Sequence, residues 1–215
     1  MSDLNPPTFD ARFRDQLVEL MTWRRDVRRF RTDPVSAEQV ETLLRLAMIS
    51  PSVGNSQPWR FISVESRPLR EIVRASFERC NADALNSYSD EQAEAYARLK
   101  LAGLNDAPVH LAVFCDLSPA AGHGLGRATM PEMLNYSVVT AISTLWLAAR
   151  SYGLGIGWVS ILDPVEITKA LDVPPSWTLI AYLCVGYPVE EHSDPELVRH
   201  GWQDRIDLSA CYFKR

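Results

Sequence analysis

The stretch from Met133 to Ala149 carries no formal charge. A helix built from it cannot be solvated on all sides. It is also a poor bilayer span, which takes about 20 consecutive apolar residues, because Asn135, Ser137, Thr140, Ser143 and Thr144 interrupt it. Apolar residues occur all round, so the segment predicts a helix buried on most sides, in a core or at a subunit interface. A chain of 215 residues is long enough to supply that burial from one large domain spanning residues 1–215.

The elements around this helix follow from periodicity and punctuation. Phe13, Leu17, Leu20 and Met21 recur at helical spacing. Ser36 with Gln39 forms a capping-box pattern ahead of an apolar stripe of Val40, Leu43, Leu44 and Ala47, and Pro51 stops that helix. Trp59 to Val64 alternates like a strand, and Val109 to Cys115 reads as a buried strand. Leu69 to Leu104 is mostly helical in pattern, with a polar break at Asn86-Ser87-Tyr88-Ser89. Gly153 caps the long helix, and Ile156 to Val159 makes a short strand. Asp163-Pro164 opens a further helix as N-cap and first-turn proline, with Glu166 completing a box. Trp177 to Val185 gives a last buried strand, and the polar remainder from Pro188 is expected to wrap over the body. The fold class predicted is α+β, with helices flanking an open, mixed sheet.

Chemistry concentrates in three places. Arg24-Arg25-Asp26-Val27-Arg28-Arg29 follows directly on the first helix. Guanidinium is always charged and grips phosphate through paired N–H bonds. Asp26 among these cations is expected to stay ionised and fixed in orientation. The same residues also suit a basic helix end facing the helix dipole, with Asp26 as a local salt bridge. The second place is Pro51-Ser52-Val53-Gly54-Asn55-Ser56-Gln57-Pro58-Trp59, a turn whose Asn55 and Gln57 amides can read a heteroaromatic edge, or which simply joins helix to strand. The third is Gly153-Leu154-Gly155-Ile156-Gly157-Trp158-Val159-Ser160. Glycine there lets a flat ligand approach the backbone. The spacing is neither a dinucleotide fingerprint nor a Walker loop.

Other classes recede. Net charge is −5, so the arginines are a local feature and a nucleic-acid partner is not expected. Cys80, Cys115, Cys184 and Cys211 are far apart, and neither they nor His110, His123, His192 and His200 show metal-ligand spacing, so no metal is expected. The first residues lack a basic region followed by an apolar one. No membrane attachment is expected, and the location expected is a reducing cytoplasm.

Together, Arg-Arg-x-x-Arg after a first helix, Pro-Ser-x-x-Asn-x-Gln-Pro-Trp after a second and Gly-Leu-Gly-Ile-Gly-Trp after a long apolar helix resemble the FMN-dependent nitroreductase superfamily, from about Phe13 to Arg205. Within it the chain resembles the BluB-type 5,6-dimethylbenzimidazole synthases. The features that carry this likeness are Asp26 inside Arg-Arg-Asp-Val-Arg, Ser160 after Gly157-Trp158-Val159, Asn135-Tyr136-Ser137, and the tail from Asp194-Pro195-Glu196-Leu197 through Gly201-Trp202.

That resemblance implies an enzyme that reacts reduced FMN with O2 and uses the flavin itself as substrate. The flavin ring system and first ribityl carbon become 5,6-dimethylbenzimidazole, the lower axial ligand of cobalamin, and erythrose 4-phosphate is released. It implies a homodimer with shared flavin sites, supplied with reduced FMN by a separate flavin reductase. By the same resemblance Asp26 and Ser160 are catalytic. The flavin contacts implied are Arg24, Arg25, Asp26, Val27, Arg28, Ser52, Asn55, Gln57, Leu99, Gly155, Gly157, Trp158, Val159, Ser160 and Arg205, with Ser52, Asn55 and Gln57 given by the partner subunit and the segment from Tyr88 to Leu99 closing the site. The alternative is an NAD(P)H-dependent nitroreductase or flavin reductase that recycles its FMN.

Overall fold

The computed structural model describes residues 5–86, 88 and 102–215. Its centre is a four-stranded sheet of β1 (Trp59–Ser63), β2 (Val109–Asp116), β3 (Gly155–Val159) and β4 (Trp177–Gly186), in the order β1-β2-β4-β3. All three ladders are antiparallel. This corrects the expected mixed sheet: the parallel pairing found among the described residues is a single bridge between Asp26 and Ile156. Strand direction is set by tertiary pairing, and the two-residue alternation of side chains does not encode it.

Seven helices lie among the described residues: α1 (Ala11–Trp23), α2 (Ala37–Ala47), α3 (Arg67–Asn86), α4 (Gly103–Asp106), α5 (Met133–Ser151), α6 (Pro164–Ala170) and α7 (Glu196–Arg199). The signals that start and stop them are mostly those in the sequence. Ser36 and Gln39 form the reciprocal box on α2. Asp163 accepts from the Val165 and Glu166 N–H groups at α6. The Glu166 carboxylate turns outward to Arg79 at 2.5 Å, so that box is only half made. Gly153 takes φ +71° just beyond α5, a left-handed position that glycine occupies without strain.

β2 explains how the layers assemble. Leu111, Val113 and Cys115 face the cluster built with Leu43, Ala47, Val138, Ile142 and Leu145 of α2 and α5. Ala112 and Phe114 face the opposite cluster, with Val73 of α3 and Ile167 of α6. Both faces of the strand are therefore covered, which is why its apolar run is unbroken.

The long helix α5 is buried more narrowly than its composition suggests. Leu134, Ser137, Val138, Ala141, Ile142, Leu145 and Ala149 enter the core, while Tyr136, Val139, Thr140 and Ser143 form an exposed stripe. None of the described residues covers that uncharged outer stripe. α1 behaves similarly: it is capped by Asp10 but has no buried residue, and Phe13 and Met21 stay exposed. No helix of the described residues is long and apolar enough to cross a membrane.

Candidate active site

The segment after α1 leaves the helix and runs along the outer edge of β3. Asp26 bridges Ile156, and the Val27 N–H donates to the Ile156 carbonyl at 3.0 Å. Glycine is required opposite. A Cβ at Gly155 would lie 2.5 Å from Val27 Cγ2, and one at Gly157 would lie 2.2 Å from the Val27 carbonyl oxygen. The glycine run thus makes room for this segment, and the space its missing side chains leave is filled by Val27. The Trp146 indole N–H donates to the Arg25 carbonyl at 3.1 Å, tying the same segment to α5.

Asp26 is held at both carboxylate oxygens. Oδ1 accepts the Trp158 N–H at 2.9 Å, and Oδ2 lies 3.6 Å from Arg28 Nε. Part of the side chain opens onto the cavities it lines, yet burial pushes its pKa above the ordinary carboxylate range. The Trp158 amide, Arg28 and Arg24 pull the other way, and Glu196 adds to the rise. The neighbouring cations that the sequence sets around Asp26 thus act against its burial. Loss of water is the larger influence, because a charge taken out of water loses more than a distant cation returns.

Two of the cavities that open on this segment share a wall. One, of about 170 Å³, is lined by Arg24, Arg25, Asp26, Arg28, Pro195, Glu196, Leu197 and Arg205. It sets four cations against two carboxylates. Burial, together with Arg24 and Arg205, lowers the pKa of Arg25, as crowding of like charges requires. The Arg24 guanidinium stacks 5.0 Å from the Trp146 ring centre, and Arg25 Nε donates to the Ser193 carbonyl at 3.1 Å. The other cavity, of about 210 Å³, has a more apolar wall: Phe77, Trp158, Val159, Ile161, Leu197 and Trp202, with Asn81, Ser160, Asp26 and Arg28. Asp26, Arg28 and Leu197 line both. Arg28 Nε is buried and, among the described residues, has no hydrogen-bond acceptor.

The structure thus brings Arg24, Arg25, Asp26, Arg28, Trp158, Val159, Ser160 and Arg205 around one pair of cavities. Val27, Gly155 and Gly157 lie behind them as packing. It does not bring Ser52, Asn55 or Gln57 to either cavity. Their turn bonds to itself and to the start of α5: the Gln57 N–H donates to Ser52 Oγ at 3.0 Å and the Val53 N–H to Ser137 Oγ at 3.0 Å. Leu99 and nearly all of the expected lid lie outside the described residues; Tyr88 meets Trp202 edge-on at 5.6 Å. Phe77 and Asn81 of α3, Trp146 of α5, and Glu196 of the tail join the site without having been singled out for it. No group of three or more His, Cys, Asp or Glu among the described residues is arranged to hold a metal ion.

Residues 21–187 match the model of the nitroreductase family, and the chain belongs to that family. Within it, the 5,6-dimethylbenzimidazole synthase of Rhodospirillum rubrum is 59% identical over 199 residues, covering 93% of this chain and 94% of that protein. A 5,6-dimethylbenzimidazole synthase of Rhodobacter capsulatus is 50% identical, covering 92% of this chain and 96% of that protein. Among solved structures, oxidized iodotyrosine deiodinase bound to FMN and 3-iodo-L-tyrosine superposes with a TM-score of 0.70 at 29% identity, covering 82% of this chain and 91% of that one.

Proposed function

We propose that this chain is a 5,6-dimethylbenzimidazole synthase, consuming reduced FMN and O2 and releasing erythrose 4-phosphate. The observation that carries the reading is the wall shared by the two cavities. The four-arginine cavity suits a phosphate: it holds surplus positive charge, a lowered pKa at Arg25 and a buried Arg28 Nε without a hydrogen-bond acceptor among the described residues. The neighbouring cavity, with Trp158, Phe77 and Trp202, suits a flat aromatic ring. A flavin lying across both would present its ribityl chain to Asp26.

Each residue then has a physical task. Arg24, Arg25, Arg28 and Arg205 hold the phosphate end. Asp26, oriented by the Trp158 N–H, moves a proton at the ribityl chain, where scission between the first and second carbons needs one moved. Burial that raises its pKa favours the protonated form more than water does, which suits a carboxyl that gives as well as takes a proton. Ser160 bonds to the ring end and influences where oxygen reacts. Ser52, Asn55 and Gln57 reach the flavin from the partner of a homodimer, whose contact covers the exposed stripe of α5. The described cysteines are all free, which suits a reducing cytoplasm where a separate reductase supplies reduced FMN.

The synthases are 46–59% identical to this chain, whereas relatives named NADH dehydrogenases or NAD(P)H nitroreductases are 23–26% identical. An NAD(P)H-driven reaction is therefore not preferred. The test is direct: mix the protein with chemically reduced FMN, admit air and identify products by mass spectrometry. Appearance of 5,6-dimethylbenzimidazole is expected, and quantitative return of intact FMN would refute the proposal.

A further inference from the structure

The tail carries an acid that no task above uses. The Glu196 side chain has only 8% of its surface accessible and faces two arginines and a histidine. Arg28 Nε lies 3.7 Å away, Arg29 Nη2 3.3 Å and His200 Nε2 3.5 Å. Arg28 Nε is 3.6 Å from Asp26 on its other side. Both separations from Arg28 exceed a hydrogen bond and lie within ion-pair range. Arg28 is therefore suspended between two carboxylates, with its Nε hydrogen-bonded to neither.

We propose that Glu196 is a positioning residue for Asp26: by holding Arg28 midway, it keeps the guanidinium Nε beyond hydrogen-bond reach of the Asp26 carboxylate and adds a negative neighbour of its own. The inference rests on the reading of Asp26 as the acid–base group. A plain anchor for the tail would not need this arrangement. Arg29 already supplies one, through Glu190 at 2.9 Å from its Nε, while Arg28 is the residue that lines both cavities.

The groups that face Asp26 can be named from every side. Arg24 and Arg28 belong to its own segment, Glu196 to the tail and Cys184 to β4. Cys184 is a buried thiol whose pKa is pushed up to about 12, so it stays neutral. Arg29 and His200 face Glu196, and Arg25 and Arg205 line the same cavity. Neutralising Glu196 removes one negative neighbour and frees Arg28 to close on Asp26. Both changes favour the ionised form.

The test is a carbon-13 NMR titration of the Asp26 carboxyl in flavin-free protein, comparing wild type, Glu196→Gln and Glu196→Asp. In Glu196→Gln the midpoint should fall by roughly one pH unit, the effect of a single nearby charge. Glu196→Asp keeps the charge but draws it back by one carbon, and its midpoint should lie between the other two. The pH limb of benzimidazole formation should move the same way, while the Gln variant binds FMN at least as tightly as wild type. An Asp26 midpoint that stays in place or rises in the variants overturns the inference, even if the variants melt earlier. Should the Gln variant fail to fold, the Asp variant decides alone. The titration needs no flavin, so it can fail while wild type still makes the product, or succeed while it does not.

Discussion

The two ends of α5 carry polar groups of opposite character. At its C-terminal end, around Trp146, four arginines converge on a cavity that leaves positive charge in excess. Near its N-terminal end, the Pro51–Trp59 turn satisfies much of its polarity internally, through Ser52, Gln57 and Ser137. The axial rise from Ser137 to Trp146 is about 14 Å. The first region sets four cations against two carboxylates, a surplus that suits an anionic ligand. The second holds a fixed shape: Asn55 and Gln57 adopt φ of +54° and +48°, left-handed values that ordinary side chains resist. A shape maintained at that cost, with Asn55 and Gln57 exposed, suits a surface that completes another copy's site.

The sheet that joins the two regions sets the acid limit of the comparison and gives the largest effect. His110 Nδ1 pairs with the Tyr182 hydroxyl at 2.9 Å, while its Nε2 is buried without a hydrogen bond. Burial, then Arg70, pushes its pKa down to about 4. The unfolded chain takes up this proton near pH 6.5, so stability is fully present above that pH and is lost as pH falls toward 4. Integrated over that window the loss approaches about 3 kcal/mol. Denaturant unfolding at pH 7 and pH 4.5 should show it, and the His110→Asn variant should flatten the difference.

Next in size is the charged end. Arg24→Ala or Arg28→Ala removes a charge-assisted contact worth about 1.5–3 kcal/mol, a loss of FMN affinity of roughly 10- to 100-fold. Riboflavin, which lacks the phosphate, should be nearly unaffected in titration calorimetry. Equal losses for both ligands would remove the distinction between the two ends.

The smallest effect is expected at the turn. Gln57→Ala removes neutral hydrogen bonds of about 0.5–1.5 kcal/mol, a few-fold to roughly tenfold loss of affinity. Mixing this variant with Arg24→Ala sharpens the comparison. If turn and cradle meet across a dimer, each mixed dimer regains one intact site, and activity should exceed that of either variant alone. If both belong to one chain's site, mixing restores nothing.

Much of this arrangement was legible in the chain. The box at Ser36 and Gln39, the apolar run of β2 and the cap at Gly153 are local signals, and they appear where local chemistry puts them. The arginine cluster was legible as a charge pattern. The purpose of Gly155 and Gly157 was not, because the side chain that fills their space, Val27, comes from a distant segment. Nor was the upward push on the Asp26 pKa, since sequence shows neighbouring charges but not the water lost on folding. Glu196 lies in a tail without periodicity, and only its three-dimensional contact with Arg28 and Arg29 distinguishes it from solvated acids nearby.

The central claim is that Asp26 faces the ribityl chain and moves a proton there. The most direct measurement is the yield of 5,6-dimethylbenzimidazole per reduced FMN consumed by Asp26→Asn, alongside its FMN affinity. The Asn carbonyl oxygen can still accept the Trp158 N–H, so the site should keep its shape. The account predicts FMN affinity retained and yield lowered by about 100-fold or more, the contribution of a positioned acid–base group, with oxidised FMN returned instead. A wild-type yield from Asp26→Asn would contradict it.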